Sequence, residues 1–158
     1  MTSPLPLALR RTATLALLAG LCLVSACRAT AHTSADPQFI HPDGPPANPF
    51  SPAVRVGHII FVSGTLGTKA DGTLVPGGIQ PETRQLLENI KGTLSAVGVG
   101  MDRVVKCTVF MADLKDWPAM NEVYRRYFSN GNYPARAAVQ ATLLFGARVE
   151  MECAAAAK

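Results

Sequence analysis

An arginine and two glutamates stand out between Asn132 and Cys153 because nearly everything around them in NYPARAAVQATLLFGARVEMEC is small or apolar. A guanidinium is a planar fork that suits a carboxylate, so Arg136 could hold an anionic group, with Glu150 and Glu152 as the acids nearby. The plainer reading is equally available: Arg136, Glu150 and Glu152 as strand-edge charges in ordinary ion pairs.

What must position these groups is a pair of strands. Arg136–Leu143 and Ala147–Cys153 are rich in β-branched or small residues and are joined across Phe145-Gly146, which predicts an antiparallel hairpin. Period-two alternation puts Glu150 and Glu152 on one face and Val149, Met151 and Cys153 on the other. The apolar face belongs against helices, so the carboxylates look away from the core, toward solvent or another subunit. Pro134 fixes the chain just before Arg136 and presents it from the start of a strand.

The 158 residues suggest one domain; 48% are hydrophobic and only 16% charged. Part of the apolar excess is a targeting segment. Arg10 and Arg11 precede an apolar run ending in Leu23-Val-Ser-Ala-Cys27, which reads as a signal peptide over residues 1–26. Its end resembles the lipobox of bacterial lipoproteins. That predicts lipid on Cys27 and an extracytoplasmic, periplasmic protein anchored to a membrane rather than spanning it. Thr12-Ala13-Thr14 fits a twin-arginine signal poorly.

Without residues 1–26, which hold two arginines and no acid, the formal charge of +4 falls to +2. No basic stripe is interleaved with aromatics, so nucleic acid is not an expected partner. Residues 27–48, rich in proline, read as a tether, and the folded domain is expected over 49–158. His32 and His41 lie in that tether without companion ligands, and His58 sits in a turn; no metal site is expected. Cys107 and Cys153 fall in predicted strands among apolar neighbours and read as buried thiols, a disulfide being chemically allowed outside the cytoplasm.

Within the domain, Val54–Val56 and Ile59–Ser63 predict a hairpin around Gly57-His58. Leu86, Leu87, Ile90, Leu94 and Val97 follow helical spacing from Pro81 to Gly98. Val104–Met111 is a strand. Asp116-Trp117-Pro118 opens a second helix with Trp117, Met120, Tyr124, Tyr127 and Phe128 along one side, ending at Asn130-Gly131. The order gives a two-layer α+β domain: one mixed sheet of about six strands with two helices on one face. Its other face carries enough apolar surface to call for self-association.

Several of these stretches carry a family likeness. Val62-Ser63-Gly64, Leu86–Gly98, Arg103–Leu114, Met120-Asn121-Glu-Val-Tyr124, Tyr133-Pro-Ala-Arg136 and Val149-Glu-Met-Glu152 resemble the RidA family, also called YjgF/YER057c/UK114, in order and over about 105 residues. The resemblance implies a chorismate-mutase-like fold and a homotrimer with clefts between neighbouring subunits. It also implies hydrolysis of reactive imines and enamines, such as 2-iminopropanoate and 2-iminobutanoate, to 2-oxo acids and ammonia without metal or organic cofactor. Arg136 would hold the substrate carboxylate and Glu150 would direct the water, the two meeting across one crevice. Ser63 and Asn121 match cleft residues, and the Ala138 backbone lies where the family contacts substrate.

Four departures bear on the cleft. Phe50 stands where a tyrosine is usual, Ser51-Pro52 where a glutamine is common, Thr65 in place of a glutamine, and Ala137-Ala138 in place of Ser-Cys or Ser-Ala types. Losing the phenol at 50 removes a donor. A non-catalytic module that binds a small carboxylate, or a holdase, on the same trimeric scaffold is the alternative, and a ribonuclease ranks behind both.

Overall fold

The structure is a computed structural model that describes residues 36–157 except 46, 129 and 130. The expected signal peptide, its lipobox-like end and Cys27 lie outside the described residues.

Eight regular elements follow the chain: β1 (Gln38–Ile40), β2 (Ala53–Val56), β3 (Ile59–Leu66), α1 (Ile79–Ser95), β4 (Val104–Met111), α2 (Trp117–Tyr124), β5 (Ala135–Gln140) and β6 (Val149–Ala156). The strands form one mixed sheet in the order β1-β2-β3-β6-β4-β5. As the apolar patterning requires, Leu86, Leu87, Ile90 and Leu94 on α1 are fully buried with Ile60, Val109 and Met151 of the sheet. Burying each such side chain contributes about 1.5–3 kcal/mol. Gly98, at φ +71°, closes the α1 segment in a conformation that a Cβ would disfavour. The open face of the sheet leaves Phe61, Val105 and Val139 exposed.

Four expectations change. The last two strands are not a hairpin: β5 pairs in parallel with β4, and β6 runs antiparallel between β3 and β4. The reason is burial. Val149, Met151, Cys153 and Ala155 are all buried and need a central position, whereas alanine-rich β5 serves as an edge. A parallel neighbour requires a crossover, which α2 supplies. Leu144–Gly146 forms a short 3-10 turn, with Phe145 at φ +57° and Gly146 at +74°.

The sheet also begins earlier than expected. Gln38-Phe39-Ile40, inside the predicted tether, pairs with β2, a strand too short to show a period among its prolines. The helical part of the second helix ends at Tyr124, with turns carrying the chain through Tyr127. Finally, Cys107 and Cys153 are not free thiols but a disulfide. They stand directly opposite on β4 and β6, with Cα atoms 4.1 Å apart, a register the sequence alone could not supply.

Two half-buried polar contacts fix the ends of the strands that matter below. Glu82, buried on α1, accepts a hydrogen bond from the Arg148 backbone N–H at 2.8 Å and so holds the entry to β6. The Asn89 amide donates to the Leu66 and Thr68 carbonyls at 3.0 and 2.9 Å and pins the exit of β3.

Candidate functional site

Arg136 enters on β5 in register with Cys107, hence on the side of the sheet that the helices cover. Trp117 opens α2 and Tyr124 follows seven residues, two turns, later, so both rings face the same strand. The guanidinium carbon lies 4.5 Å from the Trp117 ring centre and 4.4 Å from that of Tyr124, a double cation–π contact. Such stacking fixes the fork while leaving its edge free to donate. The Nη1 of Arg136 and the Tyr124 hydroxyl are both buried with no hydrogen-bond partner among the described residues.

Burial pushes the Tyr124 phenol above its ordinary pKa, with the Arg136 charge pulling the other way. It therefore stays protonated at neutral pH and can donate. Asn121, one turn before Tyr124, joins Arg136, Trp117, Tyr133 and Pro134 in lining a hollow of about 390 Å³. Two donors short of an acceptor, one cationic, suit a carboxylate.

Glu150 occupies a different hollow. It projects from β6 beside the Ser63-Gly64 irregularity in β3, where pairing slips between Val62 and Thr65. A bulge re-aims side chains locally. A Cβ at Gly64 would meet the Glu150 carboxylate as it now rests, so any larger residue there would make that side chain swing aside. The Ser63 hydroxyl donates to the Ser51 carbonyl at 2.7 Å and keeps its acceptor lone pairs. Phe50, Asn48, Leu66, Leu144 and Phe145 complete the wall.

The two hollows lie on opposite faces of one sheet. Arg136 shares its face with Cys107, Cys107 is bonded to Cys153, and Glu150, three residues before Cys153, points the other way. A single protomer thus does not bring the guanidinium and the carboxylate to one crevice. Asn121 and half-buried Ala138 go with Arg136; Ser63 and Phe50 go with Glu150.

Trp117 and Tyr124, read from the sequence only as a core stripe, stack on Arg136 and line its hollow. The available signal was two aromatics at two-turn spacing followed by a lone arginine on the next strand. Tyr133, Gly64, Leu144 and Phe145 were also missed as parts of the site.

A family model described as endoribonuclease L-PSP matches residues 42–157. A goat (Capra hircus) protein named 2-iminobutanoate/2-iminopropanoate deaminase is 49% identical over 109 residues, 68% of this chain and 79% of that protein. Among solved structures, RidA from an Antarctic Psychrobacter superposes with a TM-score of 0.69 at 36% identity, over 75% of this chain and 98% of that one. E. coli TdcF with bound serine gives 0.70 at 31%, over 77% and 99%. With nearly three quarters of its length matched by that family model and solved members superposing on it, the chain belongs to the RidA family.

Proposed function

We propose that this protein hydrolyses 2-imino acids, and the enamines that tautomerise to them, to 2-oxo acids and ammonia. The observation that carries the reading is the Arg136 fork stacked between Trp117 and Tyr124, with a buried Nη1 and a buried phenol free to receive a carboxylate. The goat relative's name and coverage support the reaction class.

Because Arg136 and Glu150 occupy opposite faces of one sheet, the working site is built between copies. The Arg136 hollow of one protomer is set against the Glu150 hollow of the next, as in a homotrimer closed over the apolar open faces. There the imino acid's carboxylate lies on Arg136, and Asn121 and the Ala138 backbone supply polar contacts. Glu150 accepts a proton from water as the water oxygen bonds to the imine carbon, and returns it to nitrogen to give a carbinolamine. The same carboxylate then takes the hydroxyl proton and passes it to nitrogen, the C–N bond breaks, ammonia leaves, and the new C=O remains. Positioning is the main contribution, since the uncatalysed reaction is already fast.

The test is to generate the imine with an amino-acid oxidase and trap what survives with semicarbazide. Wild type should leave much less semicarbazone than Arg136→Ala; equal amounts would remove the mechanism. Phe50, which lacks a phenol's donor, favours a second reading in which the cleft binds a small carboxylate without turnover. Calorimetry that found 2-oxo acids bound while imines persisted would select it.

The lipobox-like Leu23–Cys27 supports an extracytoplasmic protein anchored through Cys27. Palmitate label retained after Cys27→Ala would reject that anchor.

A further inference from the structure

A 2-imino acid presents three groups around C2: a carboxylate, a nitrogen and a side chain. With the first held by Arg136 and the second worked on by Glu150, the third must meet the remaining wall. Resting on the imine-hydrolase reading, we propose that this wall selects branched or aromatic side chains. On that reading the protein prefers 2-imino acids larger than those with a methyl or ethyl group.

The wall beside Glu150 is apolar and presented outward. Phe50, Leu144 and Phe145 are 53, 67 and 79% exposed, and Leu66 lies beside them in a hollow of about 440 Å³. That is within the size range of small-molecule sites. The Ser63 hydroxyl proton is already given to the Ser51 carbonyl, so Ser63 has no donor left for a polar substituent. Phe145 is held at φ +57°, the only non-glycine at positive φ among the described residues. A bulky residue adopts that conformation at a cost that recurs at functional sites. Hydrophobic discrimination of this kind is typically about tenfold to two hundredfold per methylene.

The experiment forms imines in place from alanine, leucine and phenylalanine with an amino-acid oxidase, semicarbazide competing, and follows each semicarbazone. Wild type should act on the leucine- and phenylalanine-derived imines about tenfold or more better than on the alanine-derived one. Phe145→Asn keeps a residue that tolerates positive φ. That variant and Leu144→Ala should each lower about tenfold the ratio of activity on the two large imines to activity on the alanine-derived one, with particle size unchanged by light scattering. Wild-type preference for the alanine-derived imine overturns the selectivity and leaves the hydrolase reading standing. So does a parallel loss on all three substrates, with a smaller particle by light scattering, which would assign the wall to contact between copies. No activity on any imine removes both.

Discussion

The hollow around Arg136 and the hollow around Glu150 are built by opposite means. The first is made rigid from within: a helix lays two aromatic rings on a guanidinium, and the donors beside it are sheltered from water. The second is an open surface whose shape comes from backbone irregularities, a slipped register at Ser63-Gly64 and a left-handed Phe145. A charge that must hold one fixed group is served by preorganisation, whereas a carboxylate that must reach water and turn over is served by space. The first region is thus expected to govern affinity and the second to govern rate and selectivity.

Three substitutions would break or sharpen that division. Glu150→Gln keeps the shape and removes the proton acceptor, so kcat should fall by about 10²–10⁴ with KM little changed. Steady-state kinetics showing a raised KM instead would place Glu150 in binding. Gly64→Ala inserts a methyl where the Glu150 carboxylate rests, and misplacing a reacting group costs up to about 10²-fold. We expect kcat about tenfold lower or less, with an unchanged circular dichroism spectrum; full activity would mean that the carboxylate is not held at that point. Tyr124→Phe keeps the stack on Arg136 and removes only the phenol. One hydrogen bond contributes about 0.5–1.5 kcal/mol, so KM should rise about twofold to tenfold at constant kcat. A change confined to kcat would erase the distinction between the two hollows.

Where local pattern decides structure, the sequence was readable. The β2–β3 hairpin, α1 and β4 follow from alternation, helical spacing and turn glycines, each a signal contained in a dozen residues. The face assignment of Glu150 against Met151 and Cys153 holds for the same reason. What failed was non-local. Alternation states which residues share a face but not which strand lies alongside, so β5 was placed next to β6 when it lies beyond β4. The same gap hid the Cys107–Cys153 register. It also concealed the role of Trp117 and Tyr124, whose partner is a residue on a strand reached by crossover. Arg136 and the glutamates stood out by type, but their roles, and Ser63, Asn121 and Ala138 beside them, came from family likeness, since arginine and glutamate on two strands are equally the pattern of plain ion pairs.

The Cys107–Cys153 bond closes a loop with a sequence separation of 46, and α2, β5, Phe145 and Glu150 all fall inside it. Most of the side chains that line the two hollows are therefore carried on a covalent ring rather than on an open string. A protease that nicked the exposed Leu144–Gly146 turn would part the backbone without releasing either piece. Damage that disperses a linear chain would here leave a cut but still tethered protein, and a thiol reductant would turn the same wound into two fragments.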